Sequence, residues 1–132
     1  MTATATGGVL LLVEDDDAIG RLVKAYLEQQ DGWRVVWLRT GEEAVAELRR
    51  HPVRLVVLDI GLPGIDGFEV ARRLRASNRH RALRLIAVTG FGRTEDVTRA
   101  GEAGFDAHLT KPVETDRLVL LLRELTAAAS GS

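Results

Sequence analysis

Five short apolar runs alternate along the chain with five longer segments in which apolar residues return every three or four positions. The short runs are Val9–Val13, Val35–Leu38, Leu55–Leu58, Leu83–Val88 and Ala107–Leu109, all of strand length. Most are too apolar for a strand with one wet face, so they predict a sheet covered on both sides. In the first longer segment Ile19, Leu22, Val23, Tyr26 and Leu27 follow the spacing of one helical stripe, and all five are expected inward. The second opens on Thr40-Gly41-Glu42-Glu43, a capping box, and runs to about Arg50, with Pro52 closing it. The third helix is expected over about Gly67–Ser77, with Phe68, Ala71 and Leu74 inward. The fourth covers about Thr94–Ala103 and carries Gly101 in its interior, where glycine costs about 1 kcal/mol against alanine; it should be the weakest. The fifth covers about Glu114–Ala127, with Leu118, Leu121, Leu122 and Leu125 inward. Val119 and Leu120 lie outside that main stripe; they either widen it or make an exposed apolar face. Met1–Gly8 and Ala127–Ser132 are small, polar or Gly-containing, and are expected to be flexible tails around one domain, 9–126.

Strand then helix, five times over, implies parallel strands joined by right-handed crossovers. In such sheets ligands bind at the carboxyl ends of the strands, which directs attention to the residues just after each run. The length of 132 residues fits one domain with one core. A net charge of −1 gives no overall attraction to nucleic acid or an anionic membrane. The arginines at 72, 73, 75, 79, 81 and 84 come without aromatic interleaving or a recognition-helix pattern, so they read as a solvated face. Absence of cysteine excludes disulfides, thiolate metal sites and a cysteine nucleophile. No apolar run reaches the roughly 18 residues of a membrane span, and Met1–Gly8 lacks the plan of a signal peptide, so a cytoplasmic location is expected.

The first run leads straight into Glu14-Asp15-Asp16-Asp17, the third ends in Asp59, the fourth in Thr89 and the fifth in Thr110-Lys111-Pro112. Parallel strands would bring these residues to one edge. Carboxylates gathered in a cleft repel and raise one another's pKa, so they need a counter-charge. With hard oxygen donors and no cysteine, the cation that fits is Mg²⁺, which shares its coordination with phosphate. Lys111 adds an ammonium and Thr89 a hydroxyl donor, which completes a set suited to a phosphoryl group. Asp16 or Asp17 is read as the cap of the first helix, and Glu14 and Asp15 as metal ligands. Asp59 closes an apolar strand, where only a partnered charge is tolerable. Lys111 is one of two lysines beside 16 arginines, which suggests that a compact point charge is wanted there. Gly61-Leu62-Pro63-Gly64-Ile65-Asp66-Gly67 matches no nucleotide-binding glycine motif and reads as a turn-rich loop. His108 reads from its residues as a partly buried, satisfied histidine and not as a ligand, and His51 and His80 as surface residues.

The segments Leu11-Leu12-Val13-Glu14-Asp15-Asp16, Val56 to Gly67, Ala87-Val88-Thr89-Gly90 and Ala103 to Pro112 together resemble the receiver domain of two-component response regulators. The resemblance runs from about Val9 to Leu125. It implies a flavodoxin-like (βα)5 three-layer sandwich with a parallel sheet of order 2-1-3-4-5. It implies that Asp59 is the phospho-acceptor. Asp15 would bind Mg²⁺ directly, Glu14 through water, and Gly61 by its backbone carbonyl, with Mn²⁺ able to substitute. Thr89 and Lys111 would contact the phosphoryl group, and the Lys111–Pro112 bond would be cis. His108 stands where the family often has Tyr or Phe as the switch residue. The implied partners are a histidine kinase or histidine phosphotransfer protein and a downstream protein, with monomer or weak dimer contact through the fourth helix, fifth strand and fifth helix. The Leu58 to Gly64 wording is similar to receivers of hybrid kinases. Gly61 has no side chain to orient water and Phe91 is apolar, so slow hydrolysis of the acyl phosphate is expected.

Two rival readings are kept. A haloacid-dehalogenase-type phosphatase also uses a strand-end Asp, a Thr or Ser, a Lys and Mg²⁺; Asp15-Asp16-Asp17-Ala18-Ile19 almost fits its motif but ends in Ile, and Asp15 would be the nucleophile. A pseudo-receiver that only binds partners would not be phosphorylated at all.

Overall fold

The computed structural model describes residues 8–50, 53–61, 66–76, 83–90 and 94–131, and of 30–31, 94–97 and 127–131 the backbone alone. The roles expected of Pro52, His51, His80, Arg79, Arg81, Phe91 and the segment 62–65, and of most of the N-terminal tail, lie outside the described residues. Strands and helices alternate as β1 (Val9–Val13), α1 (Asp17–Asp31), β2 (Arg34–Leu38), α2 (Gly41–Arg50), β3 (Val53–Asp59), α3 (Gly67–Arg75), β4 (Arg84–Thr89), α4 (Thr94–Ala103), β5 (Ala107–Thr110) and α5 (Thr115–Gly131). The sheet is parallel throughout, in the order β2-β1-β3-β4-β5. This is the (βα)5 flavodoxin-like sandwich. The order reverses direction at β1 and β3, and that is where a crevice opens at the carboxyl ends.

The period of two along the central strands divides the core in two. Leu11, Val13, Val56, Leu58, Leu85 and Ala87 face α2, α3 and α4. Leu10, Leu12, Leu55, Val57, Ile86 and Val88 face α1 and α5. Each fully buried leucine contributes about 1.5–3 kcal/mol of transfer free energy, which explains why these strands read as continuous apolar runs.

Local signals set the helix ends. Asp16 caps α1, its Oδ1 accepting from the Ile19 amide at 3.0 Å, and Gly32, at φ 69°, closes it with an N–H donated to the Leu27 carbonyl. The box at α2 closes reciprocally: Glu43 N–H donates to Thr40 Oγ1 and Thr40 N–H to Glu43 Oε1, both at 3.2 Å. Asp66 caps α3 through the Glu69 amide at 2.9 Å. The last helix continues to Gly131, four residues past the expected end at Ala127.

One expected core position is corrected. Leu22 is 62% exposed, while Val23 and Leu27 are buried. Leu22 lies about 100° around the helix axis from Val23, and α1 packs on the side of Val23, Leu27 and Gly20, so Leu22 falls outside the contact. Gly20 is buried because the Trp37 ring occupies the place of a side chain: a Cβ there would stand 2.1 Å from the indole. The pair Val119 and Leu120 splits: Val119 is 7% exposed and widens the core stripe, whereas Leu120 is 59% exposed. Among the described residues, no helix is long and apolar enough to cross a membrane.

Candidate functional site

Three strands deliver three carboxyl-bearing or hydroxyl-bearing side chains to the same edge. The buried polar side chains of the described core are Glu14, Asp59 and Thr89, exposed by 3%, 4% and 5%, and they stand at the ends of β1, β3 and β4. Polar side chains are buried at a cost unless they are partnered, so their convergence here marks a built site. Glu14, Asp15 and Asp59 each offer a carboxylate oxygen, and these oxygens all lie within 4.8 Å of one another. Asp15, Asp59, Ile60, Gly61, Thr89, Gly90 and Lys111 line a cleft of about 340 Å³.

Asp59 is held from two sides. Its Oδ1 accepts from the Gly61 amide at 2.9 Å, and its Oδ2 accepts from Lys111 Nζ at 2.6 Å. Glu14 Oε2 accepts from the Asp16 amide at 3.0 Å. Burial pushes the Glu14 carboxyl above its ordinary value; the Asp16 amide opposes this, and the charge of Asp59 adds to it. Burial alone would pull the Lys111 ammonium down, but the hydrogen bond and charge of Asp59, with Glu14 and Asp15 behind them, outweigh it and its pKa is raised. A single ammonium thus faces three carboxylates. The remaining negative charge and the hard oxygens that Glu14, Asp15 and Asp59 offer fit a small divalent cation such as Mg²⁺.

The structure brings together Glu14, Asp15, Asp59, Gly61, Thr89 and Lys111. The Lys111–Pro112 peptide bond is cis. His108 sits apart: against the expectation of partial burial it is exposed on β5, and it lines a separate cleft of about 100 Å³ with Thr110, Pro112, Val113, Glu114 and Arg117. One residue was missed at the sequence level. The Trp37 indole N–H donates to the Glu14 backbone carbonyl at 2.9 Å. The available signal, a tryptophan next to last in a strand that leads into a capping box, says nothing about a carbonyl just past another strand.

The family model for the response regulator receiver domain matches residues 10–123. The transcriptional regulatory protein AfsQ1 of Streptomyces coelicolor is 43% identical over 105 residues, a match covering 80% of this chain and 45% of that protein. The chain spans about half the length of several such curated relatives. Among solved structures, a CheY-like receiver domain protein from Methanospirillum hungatei superimposes with a TM-score of 0.86 at 28% identity, covering 94% of this chain and 97% of that one. The receiver domain of the sensor histidine kinase PA1611 from Pseudomonas aeruginosa, which has a magnesium ion coordinated in its active site cleft, gives 0.81 at 29% identity, covering 89% and 96%. The phosphatase reading, with Asp15 as nucleophile, gives way to this family match. An acidic cluster of this kind in this family is a phospho-acceptor site, modified on the domain itself, and not the centre of a turnover enzyme. The chain belongs to the response regulator receiver domain family.

Proposed function

We propose that Asp59 receives a phosphoryl group from a phosphohistidine on a histidine kinase or histidine phosphotransfer protein. The Asp59 carboxylate oxygen forms the new P–O bond as the N–P bond of the phosphohistidine breaks, and the leaving imidazole nitrogen takes up a proton. Bound Mg²⁺ supplies Lewis-acid neutralisation of the phosphoryl oxygens. Asp15, Asp59 and the Gly61 carbonyl would hold that ion directly and Glu14 through water, and Mn²⁺ could serve in its place. Lys111 already donates to Asp59 at 2.6 Å and passes to a phosphoryl oxygen after transfer. The Thr89 hydroxyl donates to another. His108 is the switch residue that follows Thr89, on a strand paired directly to that of Thr89. The phosphorylated form shifts the surface of α4, β5 and α5 toward a downstream protein, as a monomer or a weak dimer. Residues 9–126 form the receiver unit, working in the cytoplasm.

The observation that carries this reading is the shared approach of the Glu14, Asp15 and Asp59 carboxylates within 4.8 Å, with Lys111 on Asp59. The experiment is incubation with phosphoramidate or acetyl phosphate and Mg²⁺, followed by intact mass. One added phosphoryl group is expected, lost on Asp59→Asn and in EDTA. No Mg²⁺-dependent gain would leave a pseudo-receiver, and label mapped to Asp15 would revive the phosphatase.

A further inference from the structure

We propose that Trp37 is a positioning residue for the acidic pair, acting through the Glu14 backbone carbonyl, so that metal affinity depends on its indole N–H. This rests on the metal-site reading above. In a parallel ladder the N–H and C=O of one residue point to the same neighbouring strand. The Glu14 N–H meets the Leu38 carbonyl of β2 at 2.9 Å. The next donors along the chain are lost to the Glu14 carbonyl, because the Arg39 and Thr40 amides donate to the Glu43 carboxylate at 3.3 and 3.2 Å. The cap of α2 therefore consumes the groups that a longer strand would have offered. Trp37 Nε1 donates instead, at 2.9 Å.

That carbonyl belongs to the planar Glu14–Asp15 peptide, so holding it sets the plane from which the Asp15 side chain departs. The ring is itself held. A Cβ on Gly20 would stand 2.1 Å from Trp37 Cζ2 and 2.6 Å from Nε1, so glycine is what lets the indole reach its acceptor. The Arg39 guanidinium covers the ring at 4.5 Å from its centroid and pairs with Asp17. Three carboxylates brought together repel, and the backbone carrying two of them needs such a fixed point.

Trp37→Phe keeps a ring in the slot and removes the N–H. With Mg²⁺ alone as titrant in calorimetry, its dissociation constant is expected to rise about tenfold, as for other groups that orient metal ligands. The melting temperature in EDTA gives the comparison. A merely structural tryptophan would lower that temperature and leave Mg²⁺ affinity unchanged, and this result overturns the proposal. Should Trp37→Phe fail to fold, Gly20→Ala retains the indole and drives it off the carbonyl; the same loss of affinity is expected, and parental affinity overturns the proposal. A parent chain that binds no Mg²⁺ overturns the metal-site reading and this inference with it, whereas equal binding by parent and variants removes this inference alone.

Discussion

Lys111 Nζ donates to Asp59 Oδ2 at 2.6 Å, joining two residues 52 positions apart, at the carboxyl ends of β5 and β3, which β4 separates. The ammonium occupies the acceptor oxygen before any phosphoryl group arrives, and it is the partner of a carboxylate only 4% exposed. Lys111→Met leaves that carboxylate buried without its cation. The expected outcome is a lower melting temperature in EDTA, partly restored by Mg²⁺, and labelling by phosphoramidate slowed by about tenfold or more. The raised Lys111 pKa sets the sign of the pH effect. Its stabilisation is complete below the unfolded value of about 10.4 and is lost as pH rises through the higher folded value. Alkaline melting curves of the parent should show this loss, and those of the variant should not.

Glu14 gives a pH effect of the same sign in the acidic range. Burial raises its folded pKa above the unfolded value of about 4.3. Between the two values the folded chain binds the proton and the unfolded chain does not, so metal-free stability falls as pH rises through that window. Glu14→Gln removes the slope. In EDTA its melting temperature at pH 7 should exceed that of the parent, and the difference should vanish toward pH 4. Mg²⁺ should stabilise the parent by about 1.4 kcal/mol at ten times its dissociation constant, and less once pH falls far enough to protonate Glu14, because a neutral carboxyl no longer attracts the ion. Scanning fluorimetry across pH, with and without Mg²⁺, reads all of this.

The acidic set was legible because parallel strands force their carboxyl ends together, so Glu14, Asp59, Thr89 and Lys111 could be grouped from topology alone. Strand β1 and helix α4 have the expected bounds. Other features depend on which arc of a helix meets the sheet. Neighbours Val119 and Leu120 point about 100° apart, and nothing in their chemistry decides that the first is buried and the second exposed. Leu22 belongs to the same problem. The Ala-rich end of α5 carries no stripe and reads as a tail, yet alanine is the best helix former, and the helix runs on to Gly131. The Trp37 bond to Glu14 joins a side chain to a distant backbone group, and no spacing rule encodes such a contact.

Gly101 sits in the interior of α4, and among the described residues a Cβ built there meets no atom within 4 Å. Gly101→Ala should therefore stabilise the domain by about 0.5–1 kcal/mol, chiefly by restricting the unfolded chain. Thermal melting should show a rise of about 2–6 °C for a domain of this size. A fall would mean that the helix needs its glycine in a conformation other than the one described.

Gly61 bears on how long the phosphoryl group stays. Among the described residues, a Cβ at this position would touch only the Asp59 Oδ1, at 3.6 Å, which is ordinary van der Waals contact. The residue is exposed beside the acceptor, so a longer polar side chain can be accommodated without displacing Asp59. Hydrolysis of an acyl phosphate requires a water in line with the P–O bond, and an amide side chain can orient one. With hydrogen alone at this position, water must find that place unaided. Gly61→Gln is expected to shorten the aspartyl phosphate half-life several-fold while leaving the rate of labelling by phosphoramidate within about twofold, since the oxygens that hold Mg²⁺ are unchanged. Decay of the phosphorylated mass after removal of the donor measures it. Equal half-lives would mean that water entry is limited elsewhere around the cleft.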